Sequence, residues 1–151
     1  MSEIRFFVTG IPAPGGSKTG FAIKKGGVYT GRVAIIDAGG QRTKDWRQAV
    51  SAAAMAAMKL ADSVPLTGAI EVELLFHMPR PKAHYRSDGI SLRPGAPSRH
   101  IIRPDCLKLA RSTEDAMTGK VYADDAQIAK ETIEKAYGNP SGCFVVIREA
   151  E

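Results

Sequence analysis

The chain has 151 residues, of which 44% are hydrophobic and 25% are charged, so its composition predicts one folded domain (1–151) and excludes wholesale disorder. No apolar run reaches the ~18 residues of a membrane span, and the N-terminus lacks a signal-peptide pattern, so we expect a soluble, cytoplasmic protein without membrane contact. The formal net charge of +5 favours a polyanionic partner.

Two cysteines, Cys106 and Cys143, are too few for a disulfide framework, and we expect both to be buried as small apolar side chains.

The first part of the chain predicts strands joined by glycine-rich turns. Residues 3–9 are β-branched and aromatic, which is typical of a strand. Residues 21–24 and 28–30 flank Lys25-Gly26-Gly27 and predict a hairpin. A further short apolar run covers residues 33–36.

The clearest helix is predicted over residues 43–61, where alanine dominates. Thr43 is placed to cap this helix. We expect its tryptophan to anchor the core rather than to stack on a base. The predicted core stripe of the helix comprises Trp46, Val50, Ala53, Ala57 and Leu60.

The next two segments differ sharply in character. Residues 69–77 alternate and predict a half-buried strand. Its apolar face would carry Ile70, Val72, Leu74 and Phe76. Residues 79–104, called here the basic loop, hold five prolines, six Lys or Arg and a single acid. This composition predicts a flexible loop that is either simply solvated or follows the phosphates of a nucleic acid.

The last third predicts a second helix and a final strand. Residues 105–118 have helical spacing and stop at Gly119. Residues 126–137 fit either a helix or a strand, and residues 143–147 predict a strand. Together the elements predict a small α/β (α+β) domain in which a mixed β-sheet packs with two main helices.

Five acids fall within 21 residues directly after the basic loop: Asp105, Glu114, Asp115, Asp124 and Asp125. Clustered carboxylates are typical ligands of Mg²⁺, and nearby cations would suit metal-assisted phosphodiester cleavage. Acids beside a helix are more often solvated or act as caps, and Asp105 is placed to cap the second helix. The residue pattern alone leaves both interpretations open.

The order of the motifs resembles the RusA family of Holliday junction resolvases, which are crossover junction endodeoxyribonucleases common in phages and prophages. The motifs that carry the resemblance are Arg103-Pro104-Asp105, Lys108-Leu109-Ala110-Arg111, Glu114-Asp115-Ala116-Met117-Thr118-Gly119 and Tyr122-Ala123-Asp124-Asp125-Ala126-Gln127-Ile128. Further matches are the Pro12-Ala13-Pro14-Gly15-Gly16-Ser17-Lys18 loop, Trp46, and Phe76-His77-Met78-Pro79-Arg80-Pro81-Lys82. The resemblance therefore covers nearly the whole chain.

The resemblance implies a homodimer that makes paired nicks across a four-way DNA junction, in DNA recombination and repair. It implies Mg²⁺ as the cofactor, with Mn²⁺ as the alternative ion, and no small-molecule cofactor. Asp105 falls on the first catalytic aspartate of the family. Asp125 falls on the acid of the Asp-Asp pair that carries catalysis, with Asp124 beside it, and Asp115 matches a helical aspartate.

The resemblance also implies roles for basic residues. Arg111 stands where the family usually has a catalytic lysine, which keeps the charge and changes the geometry. Arg111 and Lys108 would stabilise charge that develops on the scissile phosphate. The residues expected to hold DNA phosphates are Lys18, Lys82, His84, Arg86 and Arg99.

One position departs from the family pattern. The usual Pro-Asp-x-Asp puts a second catalytic aspartate where this chain has Leu107, which cannot bind a metal. Glu114 follows seven residues later on nearly the same helix face, roughly 10 Å along the axis. We therefore predict that Glu114 replaces the missing ligand, in a site of Asp105, Glu114 or Asp115, and Asp125.

Leu107 also keeps two other functions open. One is a catalytically weakened or inactive protein that binds junction DNA on the same fold. The other is a metal nuclease with a different substrate, such as flaps or RNA.

Overall fold

A computed structural model describes residues 2–16, 18–37 and 39–151 of the chain. Ser17, part of the loop quoted above, lies outside the described residues. The strands are β1 (Glu3–Thr9), β2 (Lys18–Lys25), β3 (Val28–Asp37), β4 (Ile70–Met78), β5 (Ile128–Tyr137) and β6 (Gly142–Glu149). The helices are α1 (Gly40–Leu60) and α2 (Cys106–Met117). The described residues thus confirm the predicted α+β fold with a mixed sheet and two main helices.

The described chain forms a four-stranded sheet in the order β1-β6-β4-β5 and a separate β2–β3 hairpin. β4 pairs antiparallel with β6 and parallel with β5, so β5 is an edge strand. The alternation predicted for β4 is confirmed, because every second side chain from Ile70 to Met78 is buried. Both helices pack on this buried face, where α1 contacts β1 and α2 contacts β5. No helix among the described residues is long and apolar enough to cross a membrane.

The helix α1 begins earlier than its sequence suggested, and two predictions about it were wrong. Gly39 is the N-cap residue, and Thr43 lies inside the helix, where its hydroxyl donates to the Pro14 carbonyl oxygen. Leu60 is 92% exposed, because it lies two residues after buried Met58 and therefore on the opposite face of the helix. The buried stripe instead comprises Thr43, Trp46, Val50, Ala54 and Met58.

Trp46 anchors the core, as predicted, and is 1% exposed. Its indole Nε1 donates to Thr113 Oγ1 across 3.1 Å, which ties α1 to α2. Replacing Thr113 with Val should lower the free energy of unfolding by about 1–3 kcal/mol, because the buried indole N–H loses its acceptor. Urea unfolding measures this loss, and Thr113→Ser, which keeps the hydroxyl, is the control. A Val variant as stable as the Ser variant would contradict it.

Residues 128–137 form a strand, which settles the helix-or-strand ambiguity. The Gln127 side chain fixes the start of β5, since Nε2 donates to the carbonyl oxygens of Leu66 and Gly68 just before β4. These contacts link residues about sixty positions apart in the chain, so no local pattern could reveal them. The start of β5 is therefore set by tertiary contacts rather than by local propensity.

The remaining local predictions hold in part. The hairpin turn lies at Gly26-Gly27, as predicted, and the 33–36 run is the second half of β3 rather than a separate element. The basic loop contains a short 3₁₀ helix, Lys82–His84. Cys143 is buried as expected, whereas Cys106 is only half-buried because it begins α2 at the surface.

Candidate active site

The helix α2 begins at a capping aspartate. Asp105 has extended backbone angles, and its Oδ1 accepts a hydrogen bond from the Lys108 backbone N–H at 2.8 Å. This contact satisfies one of the orphan amides of the first helical turn. Asp105 is therefore a helix cap with an exposed side chain, and its second carboxylate oxygen is not used by the cap.

Two glutamates meet beneath the C-terminal half of α2. Glu131 of β5 lies in register with buried Val72 of β4, so it points to the helix-covered face of the sheet. There its carboxyl group hydrogen-bonds that of Glu114. Burial, followed by the contact with Glu131, raises the pKa of Glu114 to about 9. A hydrogen bond between two carboxyl groups needs a proton, and the raised pKa of Glu114 assigns it to Glu114.

The Asp-Asp pair lies beside these glutamates. Asp124 Oδ1 accepts from the Ala126 N–H at 2.8 Å and caps the short 3₁₀ helix Asp125–Gln127. That N–H lowers the pKa of Asp124. The hydrogen bond that Asp125 donates to the Asp124 carboxylate raises the pKa of Asp125, and burial and the charges of Asp124 and Asp115 add to this rise. Asp125 also adds to the negative charge that raises the pKa of Glu114.

Two arginines lie against this acidic group. Arg47 of α1 forms an ion pair with Asp115 at 3.3 Å. The positive charge of Arg111 lowers the pKa of Asp125 in opposition to the surrounding acids. The aliphatic part of the Arg111 side chain packs against Gly16, and a Cβ atom at that position would lie 3.5 Å from Arg111 Cδ. The structure thus brings Glu114, Asp115, Asp125 and Glu131 together, and we call these four residues the acidic cluster.

Asp105 and the acidic cluster lie at opposite ends of α2. Asp105 precedes Glu114 by nine residues, which is roughly 13 Å of helix rise. Contacts along β5 indicate a similar distance between Glu114 and Asp105. Glu131 contacts Glu114, whereas Lys135, four residues further along the strand, contacts the segment before Asp105. Lys135 Nζ donates to the carbonyl oxygens of Ile102 and Pro104 at 2.7 and 2.9 Å.

Among the residues that the structure describes, no three His, Cys, Asp or Glu side chains are placed to hold a metal ion. The acidic cluster nevertheless suits a hard cation, because burial, the contact with Glu131 and the charges of Asp125 and Asp115 raise the pKa of Glu114, and a cation would offset that negative charge. Mg²⁺ is commonly bound by only one or two carboxylates, with water and substrate phosphate completing its shell. The donor set therefore fits Mg²⁺ with a phosphate group present.

The position of Leu107 is informative because its side chain is 75% exposed. It lies on α2 one turn before Arg111 and does not contribute to the core. Packing therefore does not explain a leucine at the position where the resemblance expects an aspartate.

The five predicted DNA contacts lie in two regions. Lys82 and His84 belong to the 3₁₀ helix of the basic loop, and Arg86 follows them. Arg99, later in the same loop, pairs with Glu134 of β5 at 3.6 Å. Lys18 begins β2 on the separate hairpin.

Three residues with clear roles at the site did not stand out in the sequence: Arg47, Glu131 and Lys135. Each acts through a partner far away in the chain. The only local signal would have been the strand period of residues 128–137, which puts Glu131 and Lys135 on one face.

The proton held on Glu114 predicts that the free energy of unfolding depends on pH. The folded protein keeps a proton on Glu114 that the unfolded chain releases above about pH 4.5, so the free energy of unfolding should fall as the pH rises from 4.5 to about 9. Thermal unfolding in this range measures the effect, and Glu114→Gln should flatten the curve. An equally steep fall in that variant would contradict the assignment.

The family model described as Endodeoxyribonuclease RusA matches residues 24–148 of the chain. The matched range contains both helices, the whole acidic cluster and every predicted site residue except Lys18. No curated protein matches the chain.

Proposed function

The chain belongs to the RusA endodeoxyribonuclease family, and from this premise we propose that it is a Mg²⁺-dependent enzyme that resolves four-way DNA junctions by paired nicks in recombination and repair. Membership implies a Holliday junction resolvase endonuclease that binds branched DNA, and nucleases of this type are generally metal-dependent. The observation that carries the proposal is the acidic cluster beside Arg111 at the end of α2.

In the proposed site, Glu114 and Asp125 would hold the ion, water and the substrate phosphate would complete its shell, and Glu131 and Asp115 add negative charge beside it. When bound, Mg²⁺ would supply an activated water and stabilise charge on the phosphate oxygens. Asp105 and Asp124 remain proposed members of the site, and for both of them the helix cap uses the oxygen Oδ1. Mn²⁺, which also prefers oxygen ligands, is the alternative ion.

Arg111 and Lys108 would act on the phosphate itself. A guanidinium offers a planar fork of donors, so Arg111 can hold two phosphate oxygens at once and stabilise the charge that develops on them. Its present neighbour is Asp125, whose charge keeps it close to the acidic cluster. Lys108, exposed in the first turn of α2, adds positive charge on the side of Asp105.

The proposed enzyme acts as a homodimer. Two symmetric nicks in a four-way junction need two active sites related by a twofold axis, which one copy of this chain does not provide. A sedimentation experiment with and without junction DNA measures the assembly.

The deciding experiment incubates the purified protein with a labelled four-way junction, a linear duplex and a flap, each with Mg²⁺ or with a chelator. We expect symmetric nicks in the junction alone, and only with Mg²⁺. Cleavage of the flap in preference to the junction would overturn the substrate assignment. Cleavage in the chelator would overturn the metal assignment.

A second candidate function is binding of junction DNA without cleavage. It is favoured by the exposed Leu107, which occupies a position where the family resemblance expects a metal ligand. Such a protein would bind the junction equally well with Mg²⁺ or chelator and would never cut it. The same experiment separates the two functions.

The basic loop predicts a salt-dependent affinity for DNA. Replacing Lys82 or Arg86 with Ala should each make the slope of log affinity against log salt shallower by about 0.9, because one phosphate contact is lost. Arg99→Ala should have a smaller effect, because Glu134 already offsets that charge. Titrations of junction DNA at several salt concentrations measure the slopes. Lys59→Ala, in the last turn of α1, is the control, and a change there as large as in the loop would contradict the prediction.

A further inference from the structure

A cavity of about 570 Å³ lies beside the Arg103-Pro104 segment, which directly precedes Asp105. Its walls come from the loop after β1, the first turns of α1, the end of β4 and the Arg103-Pro104 segment. Asp105 follows Pro104 directly, so the cavity adjoins the proposed active site. Its volume falls in the range of about 300–1,000 Å³ that is usual for small-molecule sites.

One residue in the wall of the cavity carries a buried polar atom that lacks a partner. His100 is only 6% exposed and lines the cavity, and its Nδ1 has no hydrogen-bond partner among the described residues. Burial, aided by the charge of Lys135, lowers the pKa of His100, so the imidazole is neutral near pH 7. An unpaired buried nitrogen costs free energy, and a ligand that hydrogen-bonds it would recover that cost.

The other lining residues indicate the chemistry of the ligand. Most are apolar, including Ile11, Pro12, Ala49 and Pro79, and these would contact the faces of a flat ring. The polar side chains in the lining include hydrogen-bond donors and an acceptor. Arg42 and Arg103 are donors, and Asp45 is an acceptor. A phosphate would lose its hydration against the apolar walls, whereas a flat ring would not. A nucleobase combines apolar faces with an edge of donors and acceptors.

We propose that this cavity takes one nucleobase, unstacked from the branch point of the DNA. The inference rests on the proposed function and adds a site that recognises an unstacked base at the branch point of the DNA. Moving a base out of the stack is cheapest where pairing is already interrupted. The cavity would thus favour junctions over continuous duplex.

The experiment uses a four-way junction with a single 2-aminopurine at the branch point, in a chelator so that nothing is cut. This base becomes brighter when it leaves the stack. We expect wild-type protein to raise the fluorescence of the branch-point label and to leave a label within an arm unchanged. Ala49→Phe fills the cavity and should abolish the rise, whereas Ala56→Phe, on an exposed position of the same helix, should keep it.

His100→Phe tests the polar contact separately, because it keeps a ring beside Tyr137 and removes Nδ1. We expect the bright state to be populated about tenfold less, as for the loss of one hydrogen bond in a buried site. An unchanged rise in Ala49→Phe would overturn the inference, and an unchanged rise in His100→Phe would rule out the hydrogen bond to Nδ1. A wild-type protein that binds the junction without any rise in fluorescence would overturn it too.

Gel shifts of the unlabelled junction keep the two proposals apart. If wild-type protein does not bind the junction, the proposed function fails. If wild-type protein binds and, with Mg²⁺, cuts the junction, yet the fluorescence is insensitive to Ala49→Phe, only the nucleobase site fails.

Discussion

Glu114→Gln should reduce Mg²⁺-dependent cleavage of a four-way junction at least about a hundredfold, because it removes a charged ligand of the ion while keeping the shape of the side chain. Glu114 is the acid that the sequence suggested as a replacement for the aspartate missing at Leu107. The structure pairs it with Glu131, which lies on the facing strand β5. Glu131→Gln should therefore cause a loss of similar size.

The variant Glu114→Gln separates an effect on catalysis from an effect on folding. Glu114→Gln removes one partner of a repelling pair, so the folded protein should be at least as stable as wild type near pH 9, where the pair would otherwise ionise. Glu149→Gln, at the exposed end of β6, is the matched control and should cut normally. Normal turnover by Glu114→Gln would remove this residue from the metal site. Loss of junction binding together with cleavage would assign it to DNA contact instead.

The parts of the fold that were predicted correctly are those with a strong local period. The alternation in β4 and the helical spacing around Trp46 each report one buried face directly. The capping role of Asp105 could also be predicted, because a cap is a contact between residues three positions apart. For these elements the chemistry of neighbouring residues decides the structure.

The acidic cluster could be predicted only in part, for a physical reason. Glu114 and Asp115 are close in sequence to Asp124 and Asp125, so their proximity was foreseeable. Glu131 joins them because the register between β4 and β5 turns it toward α2. Register depends on pairing between distant segments, and a shift of one residue would send Glu131 to the opposite face.

The same register explains why Asp105 is separated from the cluster. The strand β5 runs alongside α2, with Glu131 at one end of the helix and Lys135 at the other. The family resemblance placed Asp105 and Asp125 in one group, and Glu114 was added to it although the helical rise already put Glu114 roughly 10 Å beyond Leu107. In the structure, the nine residues from Asp105 to Glu114 span most of α2.

Asp105→Asn should abolish cleavage while leaving the protein as stable as wild type. Asparagine caps a helix about as well as aspartate, so the bond from the Lys108 N–H is retained and only the negative charge is lost. We expect cleavage to fall about a hundredfold or more, because an amide neither binds a hard cation nor acts as a base as a carboxylate does. Junction nicking and thermal unfolding measure the two effects.

Asp105→Ala completes the comparison, because alanine removes the cap and the charge together. It should lower the free energy of unfolding by about 1 kcal/mol and be as inactive as Asp105→Asn. An active, stable Asp105→Asn beside a destabilised Asp105→Ala would reduce Asp105 to a helix cap. Since Asp105 lies roughly 13 Å along α2 from Glu114, that result would place the whole chemistry at the acidic cluster.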